Sequence, residues 1–181
     1  SDETVRRFAR LKPAAKDFRI YWDKAYVIHH LYEDNQVEIP DIISECEKAG
    51  NPNLVYEFAS TSKVSFPGSG IAAMAASAEN LADVKKQMTI QTIGYDKLNQ
   101  LRHVAYFKNI DGLKAHMKKH ADAMRPKFEA VLKVLDEELT GAEIGSWVKP
   151  LGGYFISFDA MEGCAKKIVA KCKEAGVTLT N

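Results

Sequence analysis

Apolar positions along the chain alternate between two periods. Val5, Phe8 and Leu11 recur at helical spacing behind Ser1, Asp2 and Thr4, any of which can cap a helix, and Pro13 ends the pattern. Phe18–Trp22 is a short run of aromatic and β-branched residues and predicts a buried strand with Asp23 at its C-terminal end. A helix is expected over 40–49, started by Pro40 and stopped by Gly50, and the next strand over 54–59 leads directly into Ser60-Thr61-Ser62-Lys63. Past the Gly68-Ser69-Gly70 turn, 71–76 predicts another buried strand and 78–88 a helix. The stretch 89–94 is ambiguous, and from Asp96 a helix is expected with Leu98, Leu101 and Val104 on one face.

A long helical pattern covers 111–139, with Leu113, Met117, Met124, Phe128, Val131, Leu132, Leu135 and Leu139 as its apolar stripe and Pro126 inside it. A helix bent at that proline would be a spine between two lobes. Trp147–Pro150 and Tyr154–Phe158 then predict an antiparallel pair around Gly152-Gly153, followed by a helix over 163–175 and a strand starting at Val177-Thr178-Leu179. The absent initiator Met and that truncated strand both suggest an excerpt of something longer.

Strand, helix, strand in this order predicts a βαβ unit with parallel strands and a right-handed crossover. In open α/β sheets, ligands sit beyond the C-terminal strand ends, where Asp23 and Ser60–Lys63 both fall.

Composition sharpens this in three ways. Across 181 residues, 25 Lys+Arg face 24 Asp+Glu, and this balance gives no electrostatic case for a nucleic-acid partner. No apolar run approaches the roughly 18 residues of a membrane span. Cys46, Cys164 and Cys172 are widely spaced with no CxxC, which predicts reduced thiols in a cytoplasmic protein rather than a zinc site.

The candidate chemistry is a joint pattern. A lysine on the loop after a strand, flanked by hydroxyls, can form a Schiff base as its neutral amine. Ser60, Ser62 and nearby backbone N–H groups could bind a phosphate. Asp23 could keep a pyridine nitrogen protonated, and the Tyr26 phenol could donate to the ring oxygen; together they suit pyridoxal phosphate, an electron sink.

These segments resemble a known family. FRIYWDKAYVIHHL and STSKVSFPGSGIAAMAAS are similar to the corresponding segments of fold-type I pyridoxal-phosphate aminotransferases, and TIGYDKLNQLRHVAYF and KPLGGYFISFD to their class I, subgroup Ic branch (aspartate or alanine–glyoxylate aminotransferase-like). The resemblance covers nearly the whole chain. It implies that Lys63 forms the Schiff base with pyridoxal 5′-phosphate and shuttles the substrate proton. Asp23 would pair with the ring nitrogen, Tyr26 would bond the ring oxygen, and Ser60 and Ser62 would help hold the phosphate. The implied reaction is ping-pong transamination between an amino acid and a 2-oxo acid, in a homodimer. Many relatives carry an arginine shortly after the lysine; here the turn reads Gly68-Ser69-Gly70-Ile71. Relatives are also considerably longer.

The fold expected is α/β: residues 1–124 as the second half of the cofactor domain, with a mixed, mostly parallel sheet, and 125–181 as the start of a small α+β domain. Two alternatives keep the fold. One is a pyridoxal-phosphate lyase using the same three residues; the other is a non-catalytic effector domain of a regulator. His116 and His120, at i and i+4, have a metal-capable spacing but no accompanying HExxH, and are expected on a solvated helix face. His29-His30 follow the Asp/Tyr segment, and the resemblance puts them near the active-site face.

Overall fold

In the computed structural model, which describes residues 1–180, the first layer is helical. Helix α1 (Asp2–Ala9) starts at Ser1, whose side chain accepts the Thr4 N–H. Helix α2 (Ile42–Lys48) is capped by Asp41, whose carboxylate accepts from the Ile43 and Ser44 N–H groups. Gly50, at φ +76°, turns the chain out of α2 in a conformation that favours glycine. Both helices pack on one face of a sheet formed by β1 (Ile20–Asp23), β2 (Val55–Ser60) and β3 (Ala72–Ala76). The core under them is Val5, Ala9, Ile42, Cys46, Leu54 and Val55, with Ile20 and Trp22 against it. Burial lifts the Cys46 thiol to about 11, so it is an inert packing residue. Asn51 fastens the corner, its amide donating to the Ala9 and Leu11 carbonyls.

Strand order is β1-β2-β3. β1 and β2 are parallel, with Ile20 opposite Val55 and Asp23 opposite Phe58. β3 returns antiparallel to β2, so the sheet is mixed, with one pairing of each kind. The expected buried strand at 71–76 forms as a strand, but Ala72, Ala73 and Ala75 are exposed. It is an edge strand of small residues, and its alanines lie open to solvent. On the sheet face away from α1 and α2, Tyr21 stacks on Phe58 at 5.6 Å and is 73% exposed.

Helix α3 (Ala78–Gln91) takes in the first part of the ambiguous 89–94 stretch. Helix α4 (Lys97–Phe107) is capped by Asp96. Its orientation reverses the expectation: Leu98, Leu101 and Val104 are exposed, and Asn99 and His103 are the buried pair. Both are satisfied, with the Asn99 amide donating to the Gly70 carbonyl and His103 bonded at both ring nitrogens. Helix α5 (Ile110–Leu139) runs unbroken through Pro126 and buries Met117, Phe128 and Leu132 of its predicted stripe, while Val131 is exposed.

The predicted hairpin has the right direction but the wrong extent. β4 (Gly145–Trp147) pairs antiparallel with β5 (Phe158–Ala160), with Trp147 opposite Phe158. Gly152-Gly153 is not their tight turn. The Val148 N–H still donates to the Ser157 carbonyl, but residues 149–156 bulge away and pair with the segment after β1: Leu31 N–H donates to the Leu151 carbonyl and Gly153 N–H to the His29 carbonyl. A Cβ at Gly152 would lie 2.5 Å from the His29 carbonyl oxygen, so only glycine allows this approach. Asp136 on α5 anchors the strand pair, accepting from Trp147 Nε1 and Lys149 Nζ. Helix α6 (Ala165–Glu174) follows. The strand expected at Val177–Leu179 does not form; the Val177 N–H instead donates to the Cys172 carbonyl at the end of α6. No helix among the described residues is long and apolar enough to cross a membrane.

Candidate active site

The parallel register delivers two strand ends to the same rim of the sheet. Asp23 ends β1 and Ser60 ends β2, and the Lys24 N–H continues the ladder onto the Phe58 carbonyl at 2.8 Å. Because β3 is antiparallel, its start at Ala72, opposite Ser60, lies at this rim too. Asp23 shares a sheet face with Phe58, and Ser60, two residues on, projects to that face as well. Lys24 and Glu57 pair at 3.1 Å, and both side chains are largely buried.

Asp23 is exposed, and its Oδ1 accepts the Ala25 N–H at 2.8 Å, which folds the following residues into a turn and leaves Oδ2 unengaged among the described residues. That turn carries Tyr26, half-buried, with its ring edge-on to His29, Tyr154 and Phe155. Ser60 Oγ donates to Ser62 Oγ at 3.1 Å, which brings the two hydroxyls together. Lys63 follows on a single helical turn, in which the Val64 and Ser65 N–H groups both donate to the Thr61 carbonyl. The Lys63 side chain is exposed and its ammonium makes no ion pair among the described residues. The structure therefore gathers Ser60 with Ser62, and links Tyr26 to the Lys63 turn through His29 and Tyr154. Among the described residues, Asp23 makes no hydrogen bond or ion pair with Lys63 or Tyr26.

The turn at 68–70 offers less than its sequence suggests, since the Ser69 N–H is already given to the Phe66 carbonyl. Thr61 Oγ1 accepts the Ile71 N–H at 2.9 Å and is fixed there by close contact with Gly70, whose Cβ would lie 3.0 Å from it.

Several residues around the turn carried no assigned role in the sequence. His29 Nε2 donates to the Lys63 carbonyl at 3.0 Å, and Tyr154 Oη donates to the same oxygen at 3.2 Å. His116 Nε2 donates to the Val64 carbonyl at 2.8 Å. His120 Nδ1 lies 3.3 Å from Tyr154 Oη, and its ring is 4.7 Å from that of His116. The pair expected on a solvated face thus points at the lysine turn, because α5 crosses directly beside it. His103 gives its Nδ1–H to the Asn99 carbonyl, so Nε2 accepts the Ser65 hydroxyl at 2.7 Å. A cavity of about 450 Å³ opens between the turn and α4 and α5, lined by Ser65, Ser69, Arg102, Tyr106 and His116 among others. The i, i+4 spacing of His116 and His120, and the resemblance that put His29 near the active-site face, were the signals pointing to this cluster.

Burial, and after it the nearby His116 and His29, hold His120 below the usual imidazole value, while burial and Tyr26 push the Tyr154 phenol up, so it keeps its proton as a donor. With the folded value of His120 depressed, the unfolded chain takes up that proton first. Stability is thus present above about pH 6.5 and is lost as the pH falls from there through the folded value. The urea midpoint is expected to drop between about pH 6.5 and pH 5, and to drop less in His120→Gln. Equal slopes in the two proteins would contradict this.

The class that this fold and rim define is an aminotransferase-type α/β protein. An aspartate transaminase of Corynebacterium glutamicum matches with a TM-score of 0.92 and 41% identity over 100% of this chain and 42% of that one. The α-aminoadipate aminotransferase of Thermus thermophilus, solved with N-(5′-phosphopyridoxyl)-L-leucine, shares the fold at a TM-score of 0.68, with 24% identity over 88% of this chain and 39% of its own. The chain belongs to the aspartate amino-transferase family, whose sequence profile matches residues 1–181. A Mycolicibacterium smegmatis protein named as a candidate aminotransferase is 43% identical over 180 residues, which is 99% of this chain and 42% of that protein. The chain thus spans about two-fifths of the length of these relatives.

Proposed function

We propose that the whole protein transfers an amino group from an amino acid of the aspartate or alanine type to a 2-oxo acid, using pyridoxal 5′-phosphate in a ping-pong cycle. The observation that carries this reading is the parallel β1–β2 pairing, which puts Asp23 and Ser60–Lys63 on one rim. The donor set there suits the cofactor: an unpaired primary amine for its aldehyde, a carboxylate for its ring nitrogen, a phenol for its ring oxygen and paired hydroxyls for its phosphate. When bound, pyridoxal phosphate supplies the electron sink that stabilises charge at the substrate α-carbon.

Each residue then has a task. Lys63 Nζ would anchor the cofactor and, once released from it, would carry the proton from the substrate α-carbon to the cofactor. The free Asp23 Oδ2 holds the proton of the ring nitrogen through a charge-assisted hydrogen bond. Tyr26 Oη donates to the ring oxygen, and Ser60 and Ser62 Oγ bind phosphate oxygens. In this reading residues 1–124 belong to the cofactor domain and 125–181 begin a smaller one. The whole protein is a cytoplasmic homodimer, and the 181-residue chain alone does not turn over, because a site needs all of its supporting shell. The three free cysteines, Cys46 among them buried, fit a reducing compartment.

Borohydride reduction of the whole protein with pyridoxal phosphate, followed by peptide mapping, tests the reading. The label is expected on Lys63, with aspartate or alanine discharging the cofactor's absorbance band. No label on Lys63 would overturn it.

A further inference from the structure

A single helical turn leaves its last carbonyls without backbone partners. In the turn that carries Lys63, those carbonyls are taken up by side chains from three remote segments. His29 comes from the segment after β1, His116 from α5 and Tyr154 from the 149–156 bulge. We propose that His29, His116 and Tyr154 form a clamp that positions Lys63 by fixing the carbonyl orientation of residues 63 and 64, with His120 as its back support. They are positioning residues: His29 and Tyr154 act on the Lys63 carbonyl and His116 on that of Val64, and all three leave the ammonium free.

The hydrogens can be followed through the clamp. A carbonyl only accepts, so Nε2 of both His29 and His116 carries a hydrogen. Tyr154 has one hydroxyl hydrogen and gives it to the Lys63 carbonyl. Its oxygen therefore accepts from His120 Nδ1–H, a two-step chain that ends on the lysine's own peptide group. On its other side, His116 Nδ1 accepts from Tyr106 Oη at 3.3 Å. His29 is 6% exposed and its Nδ1 has no partner among the described residues, so its one hydrogen bond and the packed Tyr26 and Tyr154 rings set how that ring sits. A core histidine usually finds partners for both nitrogens. This one leaves Nδ1 unpaired to put Nε2 on the Lys63 carbonyl.

The clamp as a device for catalysis rests on the function proposed above, but its geometry is testable without it. Tyr154→Phe and His116→Leu each delete one donor, and His116→Gln keeps an N–H near the Nε2 position. In the cofactor-free whole protein, hydrogen–deuterium exchange of residues 61–66 is expected to rise roughly 3–10-fold in the two deletion variants, the effect of losing one hydrogen bond. Exchange over the core segments 1–12 and 42–58 should not change, and His116→Gln should restore protection at 61–66. In the transamination assay kcat should fall by about the same factor with KM little changed, since a misplaced lysine affects proton transfer more than substrate binding. Unchanged exchange at 61–66, equal loosening of all segments, or a Gln variant no better than Leu would each overturn the clamp. Were Lys63 never labelled by borohydride while the exchange pattern held, the clamp would stand and only the functional reading would fall.

Discussion

Lys63→Ala in the whole protein should abolish transamination while leaving the fold intact. The side chain is exposed and unpaired among the described residues, and its turn is held through backbone carbonyls that alanine also supplies. Removing it should therefore shift stability by no more than about 0.5 kcal/mol, as for other surface substitutions. Turnover should fall by at least about 10²–10⁴-fold, the contribution of one side chain that moves a proton in the rate-limiting step. Lys63→Arg should not rescue it, because a guanidinium does not give up its proton near neutral pH and offers no free amine. Steady-state kinetics beside a urea titration check both halves. An alanine variant keeping a tenth of the wild-type rate would remove Lys63 from the chemistry.

The largest effect on stability is expected at Ile42. Its side chain is 0% exposed and packs with Val5, Ala9, Cys46, Leu54 and Val55 between α1, α2 and the sheet. Ile42→Ala would leave a cavity in a layer made of two short helices and should cost about 2–5 kcal/mol. Ile93→Ala is the contrast, since Ile93 is fully exposed and the same truncation there should change stability by less than about 0.5 kcal/mol. A urea midpoint for each variant separates them. Similar shifts at the two positions would mean that hydrophobicity rather than burial sets the cost.

The parts of this molecule that were legible in its sequence are those encoded locally. A run of aromatic and β-branched residues marked β1, an apolar run leading into Ser60 marked β2, and the N-terminal cap candidates, Pro40, Gly50 and Asp96 marked helix starts and a stop. The strand–helix–strand order was enough to put Asp23 and Lys63 at one rim. What sequence patterns missed depends on contacts across many residues. α4 turns its apolar positions outward because Asn99 and His103 find specific partners at Gly70 and Ser65. His116 and His120 look like a wet helix face until α5 is placed against residues 63 and 64. Trp147 and Phe158 do pair, but the chain from 149 to 156 leaves the hairpin to meet His29, which no turn signal announces.

The three bonds that hold the Lys63 and Val64 carbonyls span 34, 52 and 91 residues of sequence. Contacts of such separation close late in folding, because the entropy of bringing the ends together has to be overcome first. During synthesis, β1, α2 and β2 can assemble around Ile42 soon after Ser60 emerges. The turn that follows can take the His29 bond as it emerges, but it gains those of His116 and Tyr154 only about 50 and 90 residues later. The Lys63 turn thus gains two of its three holding bonds from segments made well after it. A newly synthesised copy can therefore carry a formed sheet before its lysine is set in place.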